Sequence, residues 1–192
     1  KFGWPMGPAY LIDVLCMYTA NHVAAIMAEA YPDRMASEQK SPLRILHNLG
    51  RLGQKSGSGF YLYEKDKKGK AIKLLDPKVN EVIEPVILEH HSFTDEEIIQ
   101  RLMIPMCLEV VRCLDDGIVS NPVDAEMGLI MGIGFPVFRG GALRYMESIG
   151  LNAFIEMAEQ YQHLGNLYRV PLSLQALAQK GKSFFENAEV VQ

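Results

Sequence analysis

Apolar positions recur at helical spacing along most of the chain, and the residues between them are helix starts and stops. Ser41-Pro42 reads as an N-cap followed by proline at the first helical position, and Gly50 ends that helix. Asp76-Pro77 and Asn121-Pro122 repeat the start signal. Thr94 with Glu97 makes a capping box, flanked by Phe93 and Ile98 as a hydrophobic staple. The helix that follows is predicted to run to about Leu114 and to stop at Gly117. Its apolar residues, among them Ile98, Leu102, Met106, Val110 and Leu114, cover more than one stripe, so burial on several sides is expected. Pro105 inside it is expected to kink or split it. Further helices are predicted near 8–15, 20–30, 123–131, 141–149, 153–163 and 172–180, with Gly150, Gly165 and Gly181 as stops. One stretch departs from this pattern. Phe60-Tyr61-Leu62-Tyr63 and Ala71-Ile72-Lys73-Leu74 flank Asp66 to Gly69, the pattern of a short β-hairpin on an otherwise all-α protein.

The pattern occurs twice. Gly3-Trp4-Pro5 is matched by Gly134-Phe135-Pro136, and each is followed by a Gly-Pro or Gly-Gly pair, Gly7-Pro8 and Gly140-Gly141. Each then has an apolar helix with an acidic residue three before a turn, Asp13 before Cys16 and Glu147 before Gly150. Each closes on glycine and two aromatics, Gly57-Ser58-Gly59-Phe60-Tyr61 and Gly181-Lys182-Ser183-Phe184-Phe185. The ordered series points to a duplication. The second copy is preceded by two helices, roughly residues 95 to 131, whereas only Lys1 and Phe2 precede the first. The first copy is therefore expected to lack leading helices, leaving apolar surface exposed or covered by another chain.

Composition narrows the function. The chain has 192 residues, 48% hydrophobic and 22% charged, which suits a packed globular protein rather than a disordered one. The net charge of −4 leaves no general basis for binding nucleic acid. Lys65, Lys67, Lys68, Lys70 and Lys73 form the one basic run, and Asp66 and Gly69 within it fit a solvated hairpin tip. The three cysteines, Cys16, Cys107 and Cys113, lack metal-ligand spacing and read as small hydrophobes in a reducing cytoplasm. No apolar run approaches the ~20 residues of a membrane span, and no signal peptide is visible.

Catalytic motifs are absent. A dinucleotide site needs a glycine-rich turn between a strand and a helix. Gly132-Ile133-Gly134 has Val137 where the third glycine belongs, and Gly57-Ser58-Gly59 has Leu62. Gly53-Gln54-Lys55-Ser56 only faintly resembles a phosphate loop, with Gln54 following the glycine. His22 and Glu29 sit on one apparent surface helix, Glu89-His90-His91 could offer metal ligands but reads as a solvated loop, and His163 near a helix end serves the dipole or faces solvent. Met127, Met131 and Phe135 beside glycine-rich backbone read either as core or as an adaptable apolar pocket wall suited to an acyl chain.

The stretch Lys1-Phe2-Gly3-Trp4-Pro5-Met6-Gly7-Pro8 with Leu11-Ile12-Asp13 resembles the C-terminal domain of 3-hydroxyacyl-CoA dehydrogenases. So does Leu52-Gly53-Gln54-Lys55-Ser56-Gly57-Ser58-Gly59-Phe60-Tyr61. In the second copy the resemblance continues through residues 109–118, 132–136 and 160–165, and two tandem copies are similar to the multifunctional α subunit of the bacterial fatty-acid β-oxidation complex. It implies two tandem helical domains of the 6-phosphogluconate-dehydrogenase C-terminal kind, residues 1–90, N-terminally truncated, and 91–192. It also implies a cytoplasmic parent with a hydratase domain and a Rossmann domain holding NAD, paired with a thiolase β subunit. The family's catalytic His and Glu, and its substrate-positioning Asn, match no position in this sequence. The fragment alone is therefore expected to bind no NAD and to be inactive. Its expected role is a wall of the acyl-CoA site, shared with the Rossmann domain, and an internal pseudo-dimer interface. The expected wall residues are Gly3, Trp4, Pro5, Met6, Gly7 and Pro8, with Met131, Gly134, Phe135 and Pro136. Three residues depart from the family pattern: Met131 replaces a tyrosine, Cys16 a helix-stopping glycine, and Tyr18 a frequent aspartate. If position 16 needs positive φ, a cysteine there is strained. The rival readings are a purely structural interaction module and the helical substrate domain of another NAD(P)-dependent dehydrogenase.

Overall fold

A computed structural model describes residues 2–37, 40–87 and 89–186; Lys1, which opens the family-like stretch, lies outside them. The described chain is mostly helical with one two-stranded antiparallel sheet. It divides into two compact units. Pro5–Ser92 form one, and the described residues on either side form the other.

In the unit Pro5–Ser92, α1 (Pro8–Leu15) and α2 (Met17–Ala30) meet at Cys16. Ser41 caps α3 (Pro42–Asn48), its hydroxyl accepting from the Leu43 N–H at 3.2 Å. Strands β1 (Tyr61–Lys65) and β2 (Ala71–Leu75) pair with Tyr61 opposite Leu75 and Lys65 opposite Ala71. At the tip the Asp66 carboxylate accepts from the N–H groups of Lys68 and Lys70, both at 2.8 Å, while the lysines around it are exposed. Helix α4 (Val79–Ile83) starts later than the Asp76-Pro77 signal suggested. Asp76 instead accepts from the Lys78 N–H and pairs with Arg51, which also donates to the Gly59 carbonyl. The Lys78 N–H and then the Arg51 guanidinium hold its carboxyl below the usual carboxylate range. The buried hydrophobic side chains described here are Met17 and Leu46, a thin core for such a unit.

The other unit is built on α5 (Asp95–Asp115), whose capping box forms as the sequence predicted. Pro105 does not split it. A proline at that position leaves the Arg101 carbonyl without its helical donor, and the Tyr168 hydroxyl donates to that carbonyl at 2.8 Å. Helix α6 (Pro122–Met127), capped by Asn121, does not continue as one α-helix to residue 131: Gly128–Gly132 form a π-helical turn. Helices α7 (Ala142–Ile149) and α8 (Leu151–Glu159) meet at Gly150, and α9 (Leu172–Gln179) closes the unit. The core joins Ile104, Cys107 and Leu108 of α5 to Leu143 and Met146 of α7, Phe154 of α8 and Leu174 of α9. Every one of these is at most 1% exposed, so this unit, unlike the first, has a closed interior. Burial pushes the Cys107 thiol up, away from reactivity.

Candidate functional site

Three buried or half-buried carboxylates organise the molecule. Asp13, 1% exposed, accepts from the N–H groups of Phe60 and Tyr61 and from the Tyr63 hydroxyl, each at 2.9 Å. The surrounding glycines make room for it. A Cβ on Gly59 would lie 2.1 Å from Asp13 Oδ1, and one on Gly53 would lie 2.2 Å from the Asp13 carbonyl oxygen. The glycine-rich stretch that faintly resembled a phosphate loop is thus a cradle for the chain's own carboxylate. Burial and the Asp13 charge push the Tyr63 hydroxyl well above its ordinary value.

Glu147 makes the matching contact in the other unit, accepting from the Ser183 hydroxyl at 2.6 Å and the Phe184 N–H at 2.8 Å. Glu126 is the third carboxylate. Its Oε1 accepts from the Arg144 N–H at the start of α7 at 2.8 Å. Its Oε2 is buried with no hydrogen-bond partner among the described residues. Burial pushes the Glu126 carboxyl up, and the backbone N–H groups of α7's first turn oppose that. A Cβ on Gly141 would fall 1.6 Å from Glu126 Oε2, so that place needs glycine. Sequence reasoning noted Asp13 and Glu147 as matched acids but missed their hydrogen bonds, and it missed Glu126 altogether.

Part of each glycine–aromatic–proline motif meets in one cluster. Trp4 packs edge-on against Phe135 with centroids 5.3 Å apart, and its indole N–H donates to the Met103 sulfur at 3.5 Å. Phe2 packs edge-on against Phe135 and Tyr145. Arg139 lies 4.0 Å over the Phe2 ring and donates to the Phe2 carbonyl at 2.8 Å. Gly3 has φ +126°, and a Cβ there would lie 2.8 Å from the Phe138 ring.

The predicted wall residues therefore separate. Phe135 is 1% exposed and Pro136 is buried, so both serve the core. Trp4 is half-buried in the same cluster, and Gly3 and Gly134 are exposed backbone beside it. Met131 is 77% exposed at the π-helical turn, and Ile133, Val137 and Phe138, near it in the sequence, are exposed as well. Pro5, Gly7 and Pro8 are exposed and Met6 is half-buried, all in the unit Pro5–Ser92. These four side chains offer apolar contact and nothing titratable. A shallow depression elsewhere is lined by Glu147, Asn152, Lys182 and Ser183, none of them predicted. His22 stacks on Tyr18, and His90 pairs with Glu84 at 3.1 Å. No cluster of three metal-ligating side chains forms among the described residues. No single described helix is long and apolar enough to cross a membrane, though α1 and α2 together, bent by 104°, have the required length and composition.

Residues 1–63 match the family model described as 3-hydroxyacyl-CoA dehydrogenase, C-terminal domain. Over those residues the chain belongs to that family. Over nearly its whole length this dehydrogenase relative is also homologous to fatty acid oxidation complex alpha subunits. It is 54% identical to that of Pseudomonas savastanoi pv. phaseolicola across 98% of the chain, and 53% identical to that of Pseudomonas paraeruginosa across 96%. The chain spans about a quarter of the length of these curated relatives, 26% in both. Among solved structures, 3-hydroxybutyryl-CoA dehydrogenase from Escherichia coli K12 superposes over 93% of this chain and 52% of its own, with TM-score 0.69 and 18% identity. The dehydrogenase part of multifunctional enzyme 1 from C. elegans covers 91% of this chain and 39% of its own, with TM-score 0.59 and 20% identity. Those two likenesses establish a shared helical fold.

Proposed function

We propose that this chain is the helical C-terminal portion of an NAD-dependent L-3-hydroxyacyl-CoA dehydrogenase of fatty-acid β-oxidation, inactive by itself. The observation that carries the reading is the 53–54% identity, along nearly the whole chain, to fatty acid oxidation complex alpha subunits. In this reading residues 1–90 and 91–192 are tandem helical domains of the 6-phosphogluconate-dehydrogenase C-terminal kind. They belong to a cytoplasmic complex with a thiolase β subunit. Acyl-CoA lies against the exposed apolar side chain of Met131 and the backbone of Gly134, with Phe135 and Pro136 as rigid support.

The residues present do not fit a dinucleotide. Its pyrophosphate needs a glycine-rich strand-to-helix turn, and here the glycines at 53 and 59 already seat Asp13. NAD therefore belongs to a nucleotide-binding domain of the longer polypeptide, and no chemical step is assigned to this chain. What its residues supply is an apolar surface that excludes water from a neighbouring reaction centre. Met131, with no hydroxyl, supplies packing rather than a polar contact. Two assays test this. The purified chain with a 3-hydroxyacyl-CoA and NAD+ is expected to generate no NADH, and in the longer enzyme Met131→Asp is expected to raise KM for acyl-CoA about tenfold or more while leaving NAD binding unchanged. NADH formation by the chain alone, or an unchanged KM, overturns the reading.

A further inference from the structure

Glu126 is 5% exposed, yet half of its carboxyl is idle. Its Oε1 accepts from the Arg144 N–H, while Oε2 is buried with no hydrogen-bond partner among the described residues. The elements packed on α6 supply little to balance a charge there. From α5 comes the Cys107 thiol, itself fully buried. From α7 comes the charge of Arg144, whose guanidinium is turned to Glu147 at 3.5 Å and lies 3.5 Å over the Phe185 ring. The turn that follows, Gly128–Gly132, has no titratable side chain, and Asp124 on α6 itself is engaged by Asn121. Toward α7 the carboxyl has no slack, because a Cβ on Gly141 would lie 1.6 Å from Oε2. An unpaired charge in such a place is costly.

We infer that Glu126 is a proton-operated catch on the turn that carries Met131: neutral, it seats α6 on α7; ionised, it lets α6 and the turn lift together. The link is covalent and short. Only Met127 separates Glu126 from the π-helical turn, and π-helical bonds reach five residues back, so the turn is anchored at the end of α6. The Phe135 N–H closes over the turn, donating to the Leu129 carbonyl at 3.0 Å, and the Phe135 ring meets Trp4. A neutral carboxyl keeps the bond from the Arg144 N–H and leaves no buried charge. Loss of the proton leaves a charged oxygen without a donor, and moving α6 away from Gly141 brings that oxygen to water. Burial raises the Glu126 carboxyl, in agreement with this order. Where acyl-CoA lies against Met131 the contact becomes proton-dependent, but the catch itself does not rest on that reading.

Amide hydrogen exchange of the 192-residue chain between pH 4 and 8, in water and in low urea, tests the catch, with each rate divided by the intrinsic rate at that pH. Protection of the Phe135 amide is expected to fall by about fivefold or more as pH rises through a midpoint above 4.5. That protection is expected to be nearly independent of urea, because a local opening exposes little surface, whereas core amides of α5 such as Leu108 follow the urea dependence of whole-unit unfolding. The Met131 methyl resonance is expected to titrate with the same midpoint. Glu126→Gln removes both pH dependences. Glu126→Asp keeps a titrating acid with a lower ordinary value, and moves the midpoint down. A Phe135 protection that ignores pH overturns the proposal, as does one that falls equally in Glu126→Gln or that shares the urea dependence of Leu108. An unmoved midpoint in Glu126→Asp overturns it too, whatever becomes of the Gln variant. None of these readouts uses acyl-CoA, so the catch and the enzymatic reading can fail separately.

Discussion

Helices α1–α2 and α7–α8 share a plan but not an environment. In both pairs an eight-residue helix ends at a residue with strongly positive φ, 81° at Cys16 and 93° at Gly150, with ψ near 130° in each. In both, an acid on the first helix grips a later glycine–aromatic segment. Yet α7–α8 are sealed by α5, while α1–α2 leave Leu11, Val14, Leu15, Tyr18, Val23 and Ile26 exposed. With Cys16 aligned to Gly150 the contrast is sharper, because Val14, Tyr18 and Ile26 align with Ser148, Asn152 and Gln160. In the unit with little apolar interior this acid is fully buried; its counterpart in the unit with a closed core is 19% exposed. Local architecture can thus be held by polar contacts where hydrophobic burial is incomplete.

The largest test of that contrast compares the two acids. Asp13→Ala leaves three donors facing each other without an acceptor and is expected to cost about 3 kcal/mol or more. Glu147→Ala leaves the Ser183, Phe184 and long, exposed Arg144 donors at a wetter place and is expected to cost about 1–2 kcal/mol. Chemical denaturation measures both, and equal losses would break the comparison. Next, the turn residues should exchange with opposite signs. Cys16→Gly is expected to stabilise by about 1 kcal/mol and Gly150→Ala to destabilise by about 1–3 kcal/mol, because an L side chain at this φ is strained. A destabilised Cys16→Gly would mean that the cysteine side chain contributes more than its strain costs.

A smaller effect is pH-dependent. The Glu126 carboxyl is raised in the folded state from an ordinary 4.5, so the native protein binds the extra proton and stability falls as pH rises above that value. Glu126→Gln should remove this fall, gaining on the wild type between pH 4 and 8 in Tm measurements. Asp76 runs the other way. Its folded value lies below 3.8, so its contribution is present above pH 3.8 and lost as pH falls below it, and Asp76→Asn should flatten that acid limb. The smallest expected change is Tyr168→Phe. Loss of the donor to the Arg101 carbonyl should cost about 1 kcal/mol, with faster amide exchange in α5 near Pro105.

Much of this was legible in single residues and short spacings. The caps at Ser41, Thr94 and Asn121 and the hairpin around Asp66 are local hydrogen-bonding choices, so they form as read. The strain at Cys16 was legible too, because its counterpart is a glycine. Other features depend on partners far along the chain. Pro105 is tolerated because Tyr168, 63 residues later, replaces the lost donor. Asp76 looked like a helix cap until Arg51 claimed it. Phe135 and Met131 carry the same hydrophobic signal, yet one is core and the other is surface.

The sequence by itself determined the helical periodicity, the caps, the twofold series of motifs and the family. All of these are set by chemistry within a few residues or by resemblance along the chain. Tertiary structure decided which glycines make room for a carboxylate, which of two like apolar residues is buried, and which helix pair is left uncovered. Those outcomes depend on atoms brought within 3 to 4 Å from distant positions, and no local pattern encodes that proximity.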